Sequence, residues 1–160
     1  MDAERQYIRD KHLTLLEKSM ATLEHILRGV TREQATTLRD GDNGWTTLEI
    51  VCHLRDYEQI FTDRLVAMRD QEKPQFRAYD VEQLARDGAY NAQDMDTVMD
   101  DFRAKRQAFL ALCRAMSDDD WARMGVHPTI GEMSMMRMLI QTAHHQPDHI
   151  EQITRVLLQR

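Results

Sequence analysis

Residues 46–68 read TTLEIVCHLRDYEQIFTDRLVAM, and this stretch decides the fold class. Its apolar residues recur at steps of three and four, which places them on one face of an α-helix and argues against the alternating pattern of a β-strand. Thr46 and Glu49 form a capping-box pattern that predicts where the helix begins. The Lys73-Pro74 pair predicts where it ends. The apolar face consists of Ile50, Leu54, Tyr57, Phe61, Leu65 and Met68.

Three further long helices are predicted from the same spacing. The first runs from about Ala3 to Arg28 and is stopped by Gly29. The third begins after Asp94, a good N-cap residue, and continues to about Met116. The last begins after Ser134 and runs to the carboxyl end. Four long helices in one chain are typical of a helix bundle.

The connections between these helices are short or locally helical. Residues 31–34 carry a second capping-box pattern that predicts one short turn, and residues 81–86 predict a short helix interrupted at Gly88. Residues 117–120 cap a turn that contains Trp121, and residues 127–131 are interpreted as a loop. The sequence therefore predicts an all-α fold, a four-helix bundle of up-and-down or crossover topology with short additional helices, in a single domain over residues 1–160.

Composition narrows the functional classes. The 21 basic and 27 acidic residues give a net charge of −6, so nucleic acid is not expected as a partner. Cys52 and Cys113 lack CxxC spacing, so neither a disulfide framework nor a cysteine-based zinc site is indicated. The charged amino terminus and the absence of an 18-residue apolar run predict a protein that does not engage a membrane and resides in the cytoplasm.

Three of the seven histidines carry the functional prediction. His145 and His149 are four residues apart and share one helix face, which also holds the apolar stripe of the last helix. His53, one position from the apolar line of the second long helix, can look into the same bundle. A lone inward histidine is usually a core residue satisfied by a carbonyl or carboxylate, but a divalent cation satisfies several converging ring nitrogens at once. The sequence thus predicts a metal site at His53, His145 and His149.

The remaining chemistry-bearing residues have simpler interpretations. Asp56, one turn beyond His53, could orient a ligand, the alternative being a solvated surface carboxylate. Pro147 lies between the paired histidines and predicts a bend that frees the carbonyl of Ala143. The methionines around residues 133–138 are interpreted as core packing. The other histidines are interpreted as surface or loop residues, and they are His12, His25, His127 and His144.

Two segments together resemble the DinB/YfiT-like superfamily of metal-binding four-helix bundles. They are residues 45–58, WTTLEIVCHLRDYE, and residues 131–153, from GEMS to the run AHHQPDHIEQI. The likeness in order and spacing spans nearly the whole chain. It implies a divalent metal, zinc or nickel, held by His53, His145 and His149. Many members carry an Asp directly after the first His of the pair, whereas this chain has Gln146 followed by Pro147.

The resemblance also suggests a class of reaction. Some members use the metal to bind a low-molecular-weight thiol as thiolate, which predicts a metal-dependent thiol transferase acting on small electrophiles. Three protein ligands leave coordination positions open, as at catalytic zinc sites. The alternatives are a metal-dependent hydrolase and a metal or small-molecule binding protein without turnover. The resemblance, with the apolar Met-rich helices, predicts a homodimer.

Overall fold

The computed structural model describes residues 2–159 and consists mainly of helices. Four of the helices are long and two are short. In chain order they are α1 (Ala3–Ile26), α2 (Arg32–Thr37), α3 (Thr47–Asp70), α4 (Val81–Asp87), α5 (Met95–Ala115) and α6 (Met135–Leu157). Single 3-10 turns span Tyr90–Ala92 and Asp120–Ala122. The predicted all-α four-helix bundle with short helices in its connections is confirmed.

The four long helices form a bundle with crossover topology. Helix α3 packs against α5 and α6, and α6 packs against α1. One core cluster contains the start of α1, the ends of α3 and α5, and the start of α6, whereas a second cluster contains the four opposite ends. Helices α1 and α6 are therefore parallel to each other, and α3 and α5 run the opposite way. Since α3 and α5 are parallel, residues 71–94 must return along the bundle between them.

The predicted start signals act as helix caps. The side chains of Thr46, Asp94 and Ser134 each accept a hydrogen bond from the backbone N–H three residues later. Thr46 and Thr31 both complete their capping boxes. Helix α1 ends before Gly29, whose φ of +73° lies in the left-handed region that glycine tolerates. Helix α3 ends three residues before Lys73, slightly earlier than predicted.

A small antiparallel hairpin was not predicted. Strands β1 (Met124–His127) and β2 (Gly131–Ser134) pair between α5 and α6, with Gly125 opposite Met133. His127 therefore belongs to a strand rather than to the predicted loop, which is confined to residues 128–130. Four residues are too few to show a periodic signal, and the hairpin also makes contacts with a segment distant in sequence. Val126 exchanges backbone hydrogen bonds of 2.9 Å with the segment at residues 74–76.

Helix α6 continues through Pro147. The predicted bend does not divide the helix, which ends at Leu157 rather than at the carboxyl end. Arg160, the last residue of that prediction, lies outside the described residues. The methionine prediction is confirmed, because Met133, Met135 and Met138 are fully buried. Among residues 2–159, no helix combines the length and apolarity needed to cross a membrane.

Candidate metal centre

The fold brings His53 of α3 together with His145 and His149 of α6. Each offers a ring nitrogen, and these nitrogens lie within 4.8 Å of one another. His53 is buried, and the other two are partly buried. His144, by contrast, is exposed and contacts the ring of His12 on α1. The convergence expected from helical periodicity is therefore present, and the role of the three side chains as metal ligands stays a prediction.

The spacing of the nitrogens fits a shared metal ion. Nε2 of His53 lies 3.1 Å from Nε2 of His145. Two nitrogens bound tetrahedrally to one zinc ion, each at about 2.0–2.1 Å, would lie about 3.3 Å apart. The ring centroids of the three histidines are separated by 4.6 to 5.1 Å, so no other side chain lies between them. The donor set suits zinc, nickel and similar divalent ions.

All three imidazoles are held in the uncharged form that a metal requires. Burial, reinforced by repulsion among the three rings, lowers the pKa of His53 to about 2. Burial likewise lowers the pKa of His145 to about 3, with His149 and Arg106 adding to the effect. The pKa of His149 is also lowered, chiefly by burial. At neutral pH each ring therefore keeps a lone pair available for coordination.

A polar chain fixes the orientation of His149. Its Nδ1 donates a 2.7 Å hydrogen bond to Oε1 of Gln152, and Nε2 of Gln152 donates to Oδ2 of Asp40 over 2.9 Å. Arg155 also donates to this Asp40 oxygen. An amide oxygen can only accept, so His149 carries its proton on Nδ1 and presents Nε2 as a lone pair. These hydrogen bonds were not predicted from the sequence, although Gln152 lies three residues after His149 on the same helix face.

Aromatic side chains line the rest of the centre. Trp45 contacts His53 with ring centroids 5.0 Å apart, and its Nε1 donates to Glu82 over 3.0 Å. Tyr57 lies 4.4 Å from the ring of His53 and stacks on His145 at 5.2 Å. Phe61 meets the edge of His145 at 5.5 Å. These apolar faces limit water around the three histidines and strengthen electrostatic interactions there.

Asp56 makes its described hydrogen bonds away from the histidines. Its Oδ2 accepts the hydroxyl of Tyr90 over 2.5 Å, and its Oδ1 accepts from Nε of Arg55 over 2.8 Å. The bond from Tyr90 ties α3 to the segment that returns along the bundle. The proposed role of Asp56 in orienting a ligand stays a prediction, while the amide of Gln152 performs that task for His149.

A buried ion pair lies beside the centre. Nε and Nη2 of Arg106 on α5 donate to the two carboxylate oxygens of Glu58 on α3 over 2.6 and 2.9 Å. Nη1 of Arg106 donates to the carbonyl of Leu16 on α1 over 2.7 Å. Both side chains are almost completely buried, and their charges are satisfied by these hydrogen bonds. The pair thereby joins α1, α3 and α5. The sequence did not predict this ion pair, because pairing across helices leaves no local pattern.

A cavity of about 230 Å³ opens beside the centre, and His145 forms part of its wall. Its lining includes Tyr57, Arg64, Tyr79, His127, Gln141 and His145. His127, interpreted from the sequence as a loop or surface residue, therefore faces the same space as one of the predicted ligands. The two cysteines of the chain do not supply a thiolate to this cavity. Cys52 and Cys113 are buried, and desolvation raises the pKa of each thiol to about 12.

Comparison with known proteins agrees with this architecture. Residues 15–153 match the family model described as the DinB superfamily. The solved structure of YfiT from Bacillus subtilis, described as a probable metal-dependent hydrolase with an unusual four-helix bundle topology, superposes with a TM-score of 0.87. The two sequences are 25% identical, and the match covers 98% of this chain and 87% of YfiT. No curated protein sequence matches the chain.

Two further solved structures share the fold at lower identity. A mycothiol-dependent maleylpyruvate isomerase superposes with a TM-score of 0.75 at 12% identity, over 91% of this chain and 60% of the isomerase. This chain thus spans well under two thirds of the isomerase. The four-helix bundle protein TT2238 gives a TM-score of 0.68 at 20% identity, over 92% of this chain and 98% of that protein.

Proposed function

The chain belongs to the DinB superfamily, and from this premise we propose that it binds a divalent metal through His53, His145 and His149 and transfers a small thiol to an electrophile. The observation that carries the proposal is the convergence of three uncharged ring nitrogens beside a cavity. A divalent metal bound there would stabilise a thiol as its thiolate near neutral pH. Zinc and nickel are the metals that we expect.

The chain's own residues supply positioning and a dry environment. Gln152 holds His149 in one tautomer, which presents a lone pair to the metal without rearrangement. Tyr57 and Phe61 form an apolar wall next to His145, which keeps water from competing with the thiol. Since Cys52 and Cys113 are buried, the thiol comes from a small molecule that enters the cavity.

Within residues 2–159, no carboxylate joins the group of possible ligands, which favours thiol transfer over hydrolysis. In residues 2–159, the group of side chains able to ligate a metal here consists of histidines alone. Glu58 is fully engaged by Arg106, and Asp56 is engaged by Tyr90 and Arg55. Metal-dependent hydrolases commonly place a carboxylate general base beside the attacking water. Thiolate activation needs no such base, because a metal held there would favour the deprotonated thiol, and the proton that it loses would pass to solvent water.

Hydrolysis is the second candidate, and the description of YfiT as a probable metal-dependent hydrolase supports it. The two reactions are distinguished by one panel on metal-loaded protein. Thiol consumption is measured with small thiols and electrophiles, and release of product is measured with ester and amide substrates in the absence of thiol. Metal-dependent thiol consumption supports the proposal, whereas thiol-independent turnover supports hydrolysis. Failure of both reactions in protein shown to contain metal would support a binding protein without turnover.

The homodimer stays a prediction. It was based on the family resemblance and on the apolar, Met-rich helices, and the methionines Met133, Met135 and Met138 lie in the core. Light scattering at micromolar concentration tests it, and a particle of 18.8 kDa would contradict it.

A further inference from the structure

Arg64 is a buried cation that lacks a carboxylate partner among the described residues. Its exposed fraction is 8%, and within residues 2–159 no acidic side chain forms an ion pair with it. Arg106 provides the contrast within the same bundle, since its guanidinium is equally buried but is satisfied by both oxygens of Glu58 and by the carbonyl of Leu16. A buried charge without a partner is costly, and proteins seldom keep one unless a ligand completes it.

The protein leaves part of the Arg64 guanidinium unsatisfied. Nη2 donates to the carbonyl of Arg77 at 3.3 Å, a long hydrogen bond, while the buried Nε has no partner. The guanidinium lies over the rings of Phe76 and Tyr79, with its carbon 5.4 and 5.9 Å from their centroids. Aromatic faces orient such a group and attract it weakly, but they do not replace its hydrogen bonds. Desolvation lowers the pKa of Arg64, as expected of a cation that has no counter-charge.

Arg64 lines the cavity that also contains His145. Helix α3 presents His53, Tyr57, Phe61 and Arg64 at successive steps of four, four and three residues, so they follow one helix face. This face leads from the predicted metal ligands to the guanidinium. A substrate in the cavity can therefore contact both His145, one of the predicted ligands, and Arg64.

The electrostatics of the cavity favour an anion. Of the residues that the structure describes, no aspartate or glutamate lines it, although acidic residues outnumber basic ones in the chain as a whole. Its polar lining is otherwise uncharged at neutral pH, because burial and the charge of Arg64 lower the pKa of His127 and burial raises that of Tyr57. The cavity thus contains one permanent positive charge and no negative charge to balance it.

We infer that Arg64 binds the carboxylate of a small substrate in this cavity. One guanidinium balances one carboxylate, and the two groups match in their planar, two-pronged geometry. A phosphate dianion would leave a second charge uncompensated among aromatic walls. The inference rests on the proposed function, because it assigns the carboxylate to the substrate of that metal centre. Arg64 positions this substrate by touching the group remote from the metal.

Calorimetric titration of purified protein of known metal content tests the inference. The probes are 3-phenylpropionate and its uncharged analogue 3-phenylpropanamide, which differ only in the group that Arg64 would bind. We expect wild type to prefer the carboxylate. Arg64→Gln is expected to weaken carboxylate binding by about tenfold or more while leaving amide binding within about twofold, since hydrogen bonds between charged groups are the strong ones. Arg64→Lys, which keeps the charge, is expected to retain part of the preference.

Arg77→Gln is the matched control, because Arg77 is exposed, contacts the same Tyr79 ring and is not part of the cavity lining. It should leave the preference unchanged. Equal binding of acid and amide by wild type, or equal loss of both in a folded Arg64→Gln protein, would overturn the inference. Tighter binding of inorganic phosphate than of the carboxylate would overturn the choice of ligand class. If Arg64→Gln does not fold, wild type is compared with Arg64→Lys instead. A carboxylate preference that is weaker in Arg64→Lys supports the inference, and an unchanged preference overturns it.

The proposed function is tested separately with an uncharged thiol. Titration of cobalt-substituted protein with 2-mercaptoethanol should give a thiolate-to-cobalt charge-transfer band in wild type and in Arg64→Gln alike. Loss of the band in both with a retained carboxylate preference would count against thiol activation and not against Arg64. A band in both proteins without a carboxylate preference in wild type would count against the role of Arg64 alone.

Discussion

Nδ1 of His149 donates a 2.7 Å hydrogen bond to Oε1 of Gln152, which lies one helical turn later on α6. This bond sets the tautomer of the histidine and connects it to Asp40 in the loop before α3. The predicted metal centre therefore depends on a residue that coordinates nothing. Outer partners of this kind commonly change metal affinity when they are removed.

Replacing Gln152 by alanine should weaken metal binding by about tenfold or more, since His149 loses the acceptor that holds its ring. Competition with a chromophoric chelator measures the change. Gln159→Ala on the same stretch of chain is the matched control and should leave the affinity unchanged, because Gln159 is exposed and donates to the carbonyl of Arg39 rather than contacting a histidine. An unchanged affinity in Gln152→Ala would show that the bond does not orient the ligand.

Replacing His149 by alanine should abolish stoichiometric metal binding and any turnover that depends on the metal. His144→Ala on the same helix is the control, because His144 is exposed and contacts His12 rather than the centre. Elemental analysis and activity are measured on both variants. Full metal content in His149→Ala, or its loss in His144→Ala, would contradict the assignment of ligands.

The metal-free protein should lose stability as the pH falls below about 6.5. Burial keeps His53 and His145 unprotonated in the fold down to about 2 and about 3, whereas in the unfolded chain they take up protons near 6.5. The unfolded state therefore binds more protons in this window, and each group contributes at most about 1.4 kcal/mol per pH unit. Urea denaturation from pH 7 to pH 5, above the range of the carboxylates, measures the slope.

His145→Gln should reduce this pH slope, and His144→Gln, at an exposed position on the same helix, should leave it unchanged. Stability that stays constant from pH 7 to pH 5 in the metal-free wild type would contradict the prediction. Bound metal should also be released as the pH falls, because protons compete with it for the ring nitrogens.

Glu58→Gln should destabilise the protein by about 3–5 kcal/mol, since it leaves the buried charge of Arg106 without a counter-ion. Glu151→Gln is the matched control, because Glu151 pairs with Arg155 at the surface, where such pairs contribute about 0–1 kcal/mol. Equilibrium denaturation at pH 7 measures both. Equal effects of the two substitutions would show that burial of the Glu58 pair does not matter.

Chelation should remove the metal and leave the helices in place. The bundle has two apolar core clusters that do not include the three histidines, so its folding does not require a metal. Far-ultraviolet circular dichroism before and after treatment with a chelator at neutral pH measures this. Complete loss of the helical signal would show that metal binding and folding are coupled.

Local patterns in the sequence determined the helices and their starts. The capping boxes at Thr31 and Thr46 and the caps at Asp94 and Ser134 lie where the sequence predicted them, because a cap involves residues only three apart. The inward direction of His145 and His149 was predictable for the same reason, since one helical turn places both on one face. The sequence did not predict the hairpin that contains His127, because its strands of four residues are too short to show a periodic signal and one of them also bonds to the distant segment at residues 74–76.

The tertiary structure decided which distant residues meet. It placed His53 within reach of His145, although 92 residues separate them. It paired Glu58 with Arg106, while among the described residues Arg64 has no carboxylate partner. His53, Glu58 and Arg64 lie on α3 within a dozen positions of one another. No local rule in the sequence distinguishes Arg106, which has a carboxylate partner, from Arg64, whose Nε has no hydrogen-bond partner among the described residues. Helical periodicity fixes the face on which a side chain lies. Packing between helices fixes what it touches, and the chemistry of the centre and its cavity follows from those contacts.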